Sequence, residues 1–189
     1  MADETRNSGL RYKIDAGRSF FTAQAFADGM LSFMGHNPKF AVRKYGGEIQ
    51  LAADNARVES MLLIAQAASL SLINKVSEKD KTEIENTMRS EVLEISRFAE
   101  IVFVSKDISM RQIEGAKYAV EINGILSLHG EKRDQKITVG AEIAGKTISA
   151  KGGFKLKQSD FKIKQTKALG GTLKVKDEVE IYFEITAEI

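Results

Sequence analysis

The chain has 189 residues, a formal net charge of +2, one proline, no tryptophan and no cysteine. The lack of cysteine excludes disulfides, thiolate catalysis and cysteine-held metal, and the near-neutral charge gives no bulk signal for a nucleic-acid partner. The length suits one domain, and the longest mostly apolar stretch, Met61 to Ala68, is far too short to cross a bilayer.

Residues 1–9 have no apolar core, so they read as a disordered tail and not as a secretory leader. A cytoplasmic protein is expected, or a periplasmic one if a leader has been trimmed. Strand-patterned segments follow at Leu10 to Asp15, Arg18 to Ala27, Lys39 to Asp54 and Arg57 to Leu72. The second is apolar on both faces, with Phe20 and Phe26 opposing Phe21, Ala23 and Ala25. One face is expected to line an interior, the other to pack under a helix or against a second subunit in a homodimer. The third segment changes face partway, from Phe40 and Val42 to Ile49 and Leu51, around Gly46-Gly47. A β-bulge there explains the slip and bends the strand, with two short strands as the alternative. In the fourth, Val58, Leu62, Ile64, Leu70 and Leu72 share one face.

A helix is expected over about 77–92. Ser77-Glu78-Lys79-Asp80 resembles a capping box, and acidic residues crowd the first turns, where the helix dipole favours them. Ile84, Met88 and Val92, with Ile95 beyond, form a narrow apolar stripe suited to docking as a lid over one barrel end.

Further strands are expected at Glu100 to Ser105, Lys117 to Leu128, Lys136 to Ile143, Lys146 to Lys164 and Val175 to Ile189. The last alternates Val179, Ile181, Phe183, Ile185 and Ala187 against Glu178, Glu180, Glu184 and Glu188. Lys146 to Lys164 changes face across Gln158-Ser159-Asp160, again through a bulge or two short strands. An antiparallel sheet this extensive must cover its edges, and closure into a barrel of about eight strands does so. The expected class is therefore all-β, a closed antiparallel barrel with one inserted helix. The interior of such a barrel is filled by side chains or holds one small ligand.

Signals for chemistry are sparse. His36 lies in a turn and His129 at a strand end; no zinc spacing joins them. A structural role is the first expectation for each. The alternative is a hydrolase using His36 or His129 with a carboxylate. No nucleophile elbow, phosphate loop or dinucleotide fingerprint is present, so no enzyme activity, cofactor or metal is expected. Lys146 to Lys176 holds nine lysines and one acidic residue, Asp160. A solvated face is the first reading of that stretch, transient contact with a membrane surface the second. Its two phenylalanines sit at core positions, which argues against nucleic acid.

Several segments in order carry a resemblance. They are Tyr12-Lys13-Ile14-Asp15, Gly35-His36-Asn37-Pro38 with Gly46-Gly47-Glu48-Ile49, Asp80 to Arg89, Glu91-Val92-Leu93-Glu94 and Ala99 to Phe103. Gly124 to Gly130, Gln158 to Ile163 and Leu173 to Val179 complete the set. Together they resemble the YceI-like family of polyisoprenoid- or lipid-binding proteins over residues 10–189, in a cytoplasmic-type branch. The resemblance implies an extended, eight-stranded, lipocalin-like barrel with a helical insertion. It also implies an apolar tunnel for an isoprenoid or another long-chain amphiphile, and often a dimer.

The expected function is non-catalytic binding or transport of a polyisoprenoid, quinone tail or fatty-acid derivative. The candidate ligand-binding residues are Phe26, Phe40, Val42, Leu62, Ile64, Ile101, Phe103, Val120, Ile122, Leu126, Phe154, Leu156 and Phe183. A second expectation, beside the hydrolase, is a stress-related interaction module with a filled barrel. Alternation alone does not separate a filled core from a lined tunnel.

Overall fold

The computed structural model describes residues 9–28, 37–52, 57–164, 167–168 and 173–189. Of the expected tail over residues 1–9, all but Gly9 lie outside the described residues, and so does His36. The strands are β1 (Leu10–Ile14), β2 (Phe20–Asp28), β3 (Lys39–Val42), β4 (Tyr45–Leu51), β5 (Val58–Gln66) and β6 (Leu70–Leu72). After the helix α1 (Glu78–Thr87) come β7 (Glu100–Glu114), β8 (Lys117–Leu128), β9 (Glu131–Ala144), β10 (Thr147–Lys157), β11 (Lys167–Ala168) and β12 (Leu173–Glu188).

The sheet closes. The ladder runs β1–β4–β5–β7–β8–β9–β10–β12, and β12 returns to pair with β1. Three further strands prolong this ring. β2 continues β1 along the same edge of β12, with Ile14 opposite Ala187 and Phe21 opposite Phe183. β3 precedes β4 across a bend, and β6 follows β5 across another. The result is an eight-stranded antiparallel barrel in which three strand paths are bent. Ser69 ties two bends together: its Oγ accepts from the amides of Arg43 (3.3 Å) and Lys44 (3.0 Å) and donates to the Gln66 carbonyl (2.7 Å).

Three expectations about faces are corrected. No bulge forms at Gly46-Gly47, because Tyr45 to Gln50 pair in unbroken register with Ala65 to Ser60. The face changes at the Arg43-Lys44 break, which makes two short strands. At Gln158 neither a bulge nor a second strand occurs. One 3-10 turn, Gln158–Phe161, followed by left-handed Lys162 (φ 55°), returns Phe161 and Ile163 to the core. Finally, Arg57 to Leu72 is not one alternating strand. Gln50 faces Ser60 while Leu51 faces Val58, so Glu59 is an extra residue, and a 3-10 turn at Ala67–Ser69 precedes β6.

The helix begins as expected. Ser77 Oγ accepts from the Asp80 amide at 3.1 Å, satisfying one of the donors a helix N-terminus leaves free. It ends in a π turn, Met88–Val92, where the Leu93 amide bonds the Met88 carbonyl at 2.9 Å. The wider turn brings Leu93 back beneath Met88, and both are buried. This segment covers the free edge of β6. Glu85 Oε1 accepts from the Leu72 amide at 2.9 Å; Arg89 donates to the Leu70 carbonyl at 3.3 Å and to Glu85 Oε2 at 2.9 Å. The edge groups that would invite another strand are thus met by side chains of the helix. No described helix is long and apolar enough to cross a membrane.

Candidate ligand-binding site

The two barrel ends differ. At one end Tyr12, Ile14, Leu51 and Ala187 pack into a solid floor, with Tyr12, Leu51 and Ala187 fully buried. Tyr12 Oη donates to the Gly145 carbonyl at 3.2 Å and so satisfies its polar tip. The other end is roofed by Met88 and Leu93, Leu128, and the turn carrying Phe161 and Ile163.

Between floor and roof the barrel is hollow. A cavity of about 230 Å³ runs past Ile148, Ala150 and Ile185 near the floor to Leu93, Leu128 and Gln158 near the roof. That exceeds the few small voids of an ordinary core. The cause is legible in side-chain size: Ala23, Ala25, Ala65, Ala141 and Ala150 all stand on the lining. Two of the five lining phenylalanine rings lie over glycines of the wall. A Cβ on Gly124 would meet the Phe103 ring at 2.5 Å, and one on Gly152 would meet the Phe183 ring at 3.2 Å. These glycines leave room for the two rings.

The described lining is apolar apart from Thr22 and Gln158 and includes no histidine, acid or base. Such a space favours an apolar guest, because apolar surface on both sides leaves water. Among the described residues no group of three or more His, Asp or Glu is placed to hold a metal.

Ten of the thirteen candidate residues come together on this lining: Phe40, Val42, Ile101, Phe103, Val120, Ile122, Leu126, Phe154, Leu156 and Phe183. Three do not. Leu62 and Ile64 fall on the opposite face, because the extra residue at Glu59 reverses parity and turns Met61, Leu63 and Ala65 inward. Phe26 sits on the face of β2 opposite Phe21, Ala23 and Ala25, which line the cavity. On that outer face Phe20 stays 42% exposed.

His129 is a brace for the roof. It forms the β8–β9 turn with Gly130, both with positive φ, as a two-residue hairpin requires. Its Nδ1 bonds the Phe161 carbonyl at 3.0 Å, and its Nε2 bonds Glu94 Oε2 at 2.8 Å. The ring packs 4.5 Å from Phe98. Hydrogen bonds from Arg97 and then His129 hold the Glu94 carboxyl below the usual glutamate range. Glu131 is likewise lowered, chiefly by its bond from Lys162. Three of the nine lysines of the basic stretch face acids across the sheet: Lys151, Lys155 and Lys157 stand opposite Glu184, Glu180 and Glu178. Lys155 Nζ lies 2.8 Å from Glu178 and 3.1 Å from Glu180.

A hollow, helix-roofed antiparallel barrel of this kind matches a known family over nearly its whole length: the YceI-like domain, at residues 12–187. The chain belongs to the YceI-like family. Three solved structures share the fold. BcnA of Burkholderia cenocepacia is 19% identical, with 92% of this chain and 98% of that one covered and a TM-score of 0.69. A polyisoprenoid binding domain from Saccharophagus degradans, implicated in plant cell wall breakdown, is 13% identical, with 94% and 97% covered and a TM-score of 0.69. The YCEI protein of Campylobacter jejuni is 20% identical, with 82% and 86% covered and a TM-score of 0.57. No curated protein is a significant match to this chain. At these identities the solved structures speak for the YceI-like fold, and the cavity itself must speak for the guest.

Proposed function

We propose that this protein binds and carries one long-chain apolar molecule, such as a polyisoprenoid, a quinone tail or a fatty-acid derivative, inside its barrel. The observation that carries the reading is the continuous apolar cavity between a packed floor and a helical roof. From Val179 to Ile185 the lining spans seven residues of β12, a rise of about 20 Å. An extended chain fits such a channel better than a compact ring system. The family and the polyisoprenoid binding domain among its structural relatives support the same class of guest. Binding comes from apolar burial at roughly 25 cal/mol per Å², less the cost of ordering the chain.

The test fills the channel. Val120 lies on the lining and is buried. Val120→Trp, or Ala150→Phe where the first disturbs folding, leaves a cooperatively unfolding barrel and weakens uptake of a fluorescent long-chain fatty acid by on the order of tenfold or more. Unchanged uptake by folded variants contradicts the proposal.

A further inference from the structure

Gln158 is the polar side chain that an apolar cavity does not need. It is 7% exposed and lies on the lining at the roofed end. A buried amide is costly unless both its nitrogen and its oxygen are bonded. The nitrogen is: Nε2 donates to the Lys176 carbonyl at 2.9 Å. That bond also fixes the orientation of the amide, since a carbonyl cannot accept from Oε1. Oε1 has no donor among the described residues, and the space that Gln158 lines is the cavity.

The position is built, not incidental. The turn that begins with Gln158 is clamped by Asp177, whose Oδ1 accepts from the Ser159 amide at 2.8 Å and whose Oδ2 accepts from Ser159 Oγ at 2.6 Å. The Gln158 carbonyl accepts from the Ile163 amide at 3.1 Å, closing the turn on itself. His129 holds the far side of the same turn through the Phe161 carbonyl. The turn is thus held from three directions, and the bond to the Lys176 carbonyl ties the Gln158 side chain to the adjoining strand.

We propose that the side-chain carbonyl of Gln158 accepts a hydrogen bond from the guest, which is therefore a long-chain amphiphile with a hydroxyl-type donor at one end. The donor sits under the roof beside Leu93 and Leu128, and the tail runs towards Ile148 and Ile185. This assignment rests on the carrier reading and refines it: it separates alcohols and other donor-bearing lipids from hydrocarbons and from lipids that end in acceptors alone.

The experiment compares two isomeric probes, heptadecanol and hexadecyl methyl ether, which differ in whether the oxygen carries a proton. Each is titrated into the full chain by displacement of a fluorescent fatty acid. The quantity of interest is the ratio of the two affinities, alcohol over ether, in the wild type and in Gln158→Leu. The ratio falls about tenfold in the variant, as expected for one buried hydrogen bond. A second measurement needs no variant protein to fold for binding: in carbon-13 glutamine-labelled wild type, the Gln158 side-chain carbonyl resonance moves with the alcohol and not with the ether. An unchanged ratio in a folded variant, or equal carbonyl shifts with both probes, overturns the Gln158 assignment and leaves the carrier reading standing. Failure of both probes to displace the fatty acid or enter the barrel overturns the two together.

Discussion

His129 shows how much of the roof depends on single side chains. Both ring nitrogens face acceptors, the Phe161 carbonyl and the Glu94 carboxylate, so one residue joins the β8–β9 turn, the turn after β10 and the segment after the helix. Its partners were beyond sequence reach because they lie 32 and 35 residues away. The pair has a pH consequence. The Glu94 carboxyl is held below its ordinary range by Arg97 and His129. The unfolded chain therefore takes up this proton first on acidification, so the contribution of Glu94 is present above the ordinary glutamate range and is lost as pH falls through the lowered value. Thermal unfolding followed below about pH 4.3 declines more steeply in the wild type than in Glu94→Gln. Parallel declines contradict the coupling.

At the scale of elements, the helix acts on the barrel through an edge. β6 has no strand on its outer side among the described residues, and Glu85 and Arg89 supply the missing hydrogen bonds to Leu72 and Leu70. In Glu85→Ala the Leu72 amide loses a charge-assisted partner, and its hydrogen exchange speeds up by roughly tenfold or more while the Val120 amide, deep in the ladder, does not change. Equal protection of Leu72 in both proteins contradicts the edge-covering role. The same elements mark where pattern reading works. The ladder of β12 was legible because Val179 to Ala187 place an apolar residue at every second position, between glutamates, Tyr182 and Thr186. The helix cap was legible because Ser77 and Asp80 carry it locally. β5 was not: one unpaired residue at Glu59 reverses every position after it, and nothing in the composition of Arg57 to Leu72 signals the extra residue, so Leu62 and Ile64 take the place that Met61 and Leu63 fill. β7 extends nine residues past Ser105 because its partner β8 holds it there, although Lys106, Asp107 and Arg111 break the alternation.

For the whole molecule, the central fact is that the barrel is closed but not filled. Alternation located ten lining residues without showing that they line a space, since a filled core and a channel have the same binary pattern. What distinguishes them is volume, set here by alanines at lining positions of four strands and by phenylalanine rings laid over Gly124 and Gly152. An apolar volume of this size gains by taking up an apolar chain. The direct measurement is native mass spectrometry of the purified full-length chain, before and after exposure to a total lipid extract, followed by solvent extraction of whatever is held. One long-chain lipid per barrel, retained in the folded protein and released on denaturation, is the predicted result. A barrel that stays at its bare mass after exposure to the extract contradicts the carrier role.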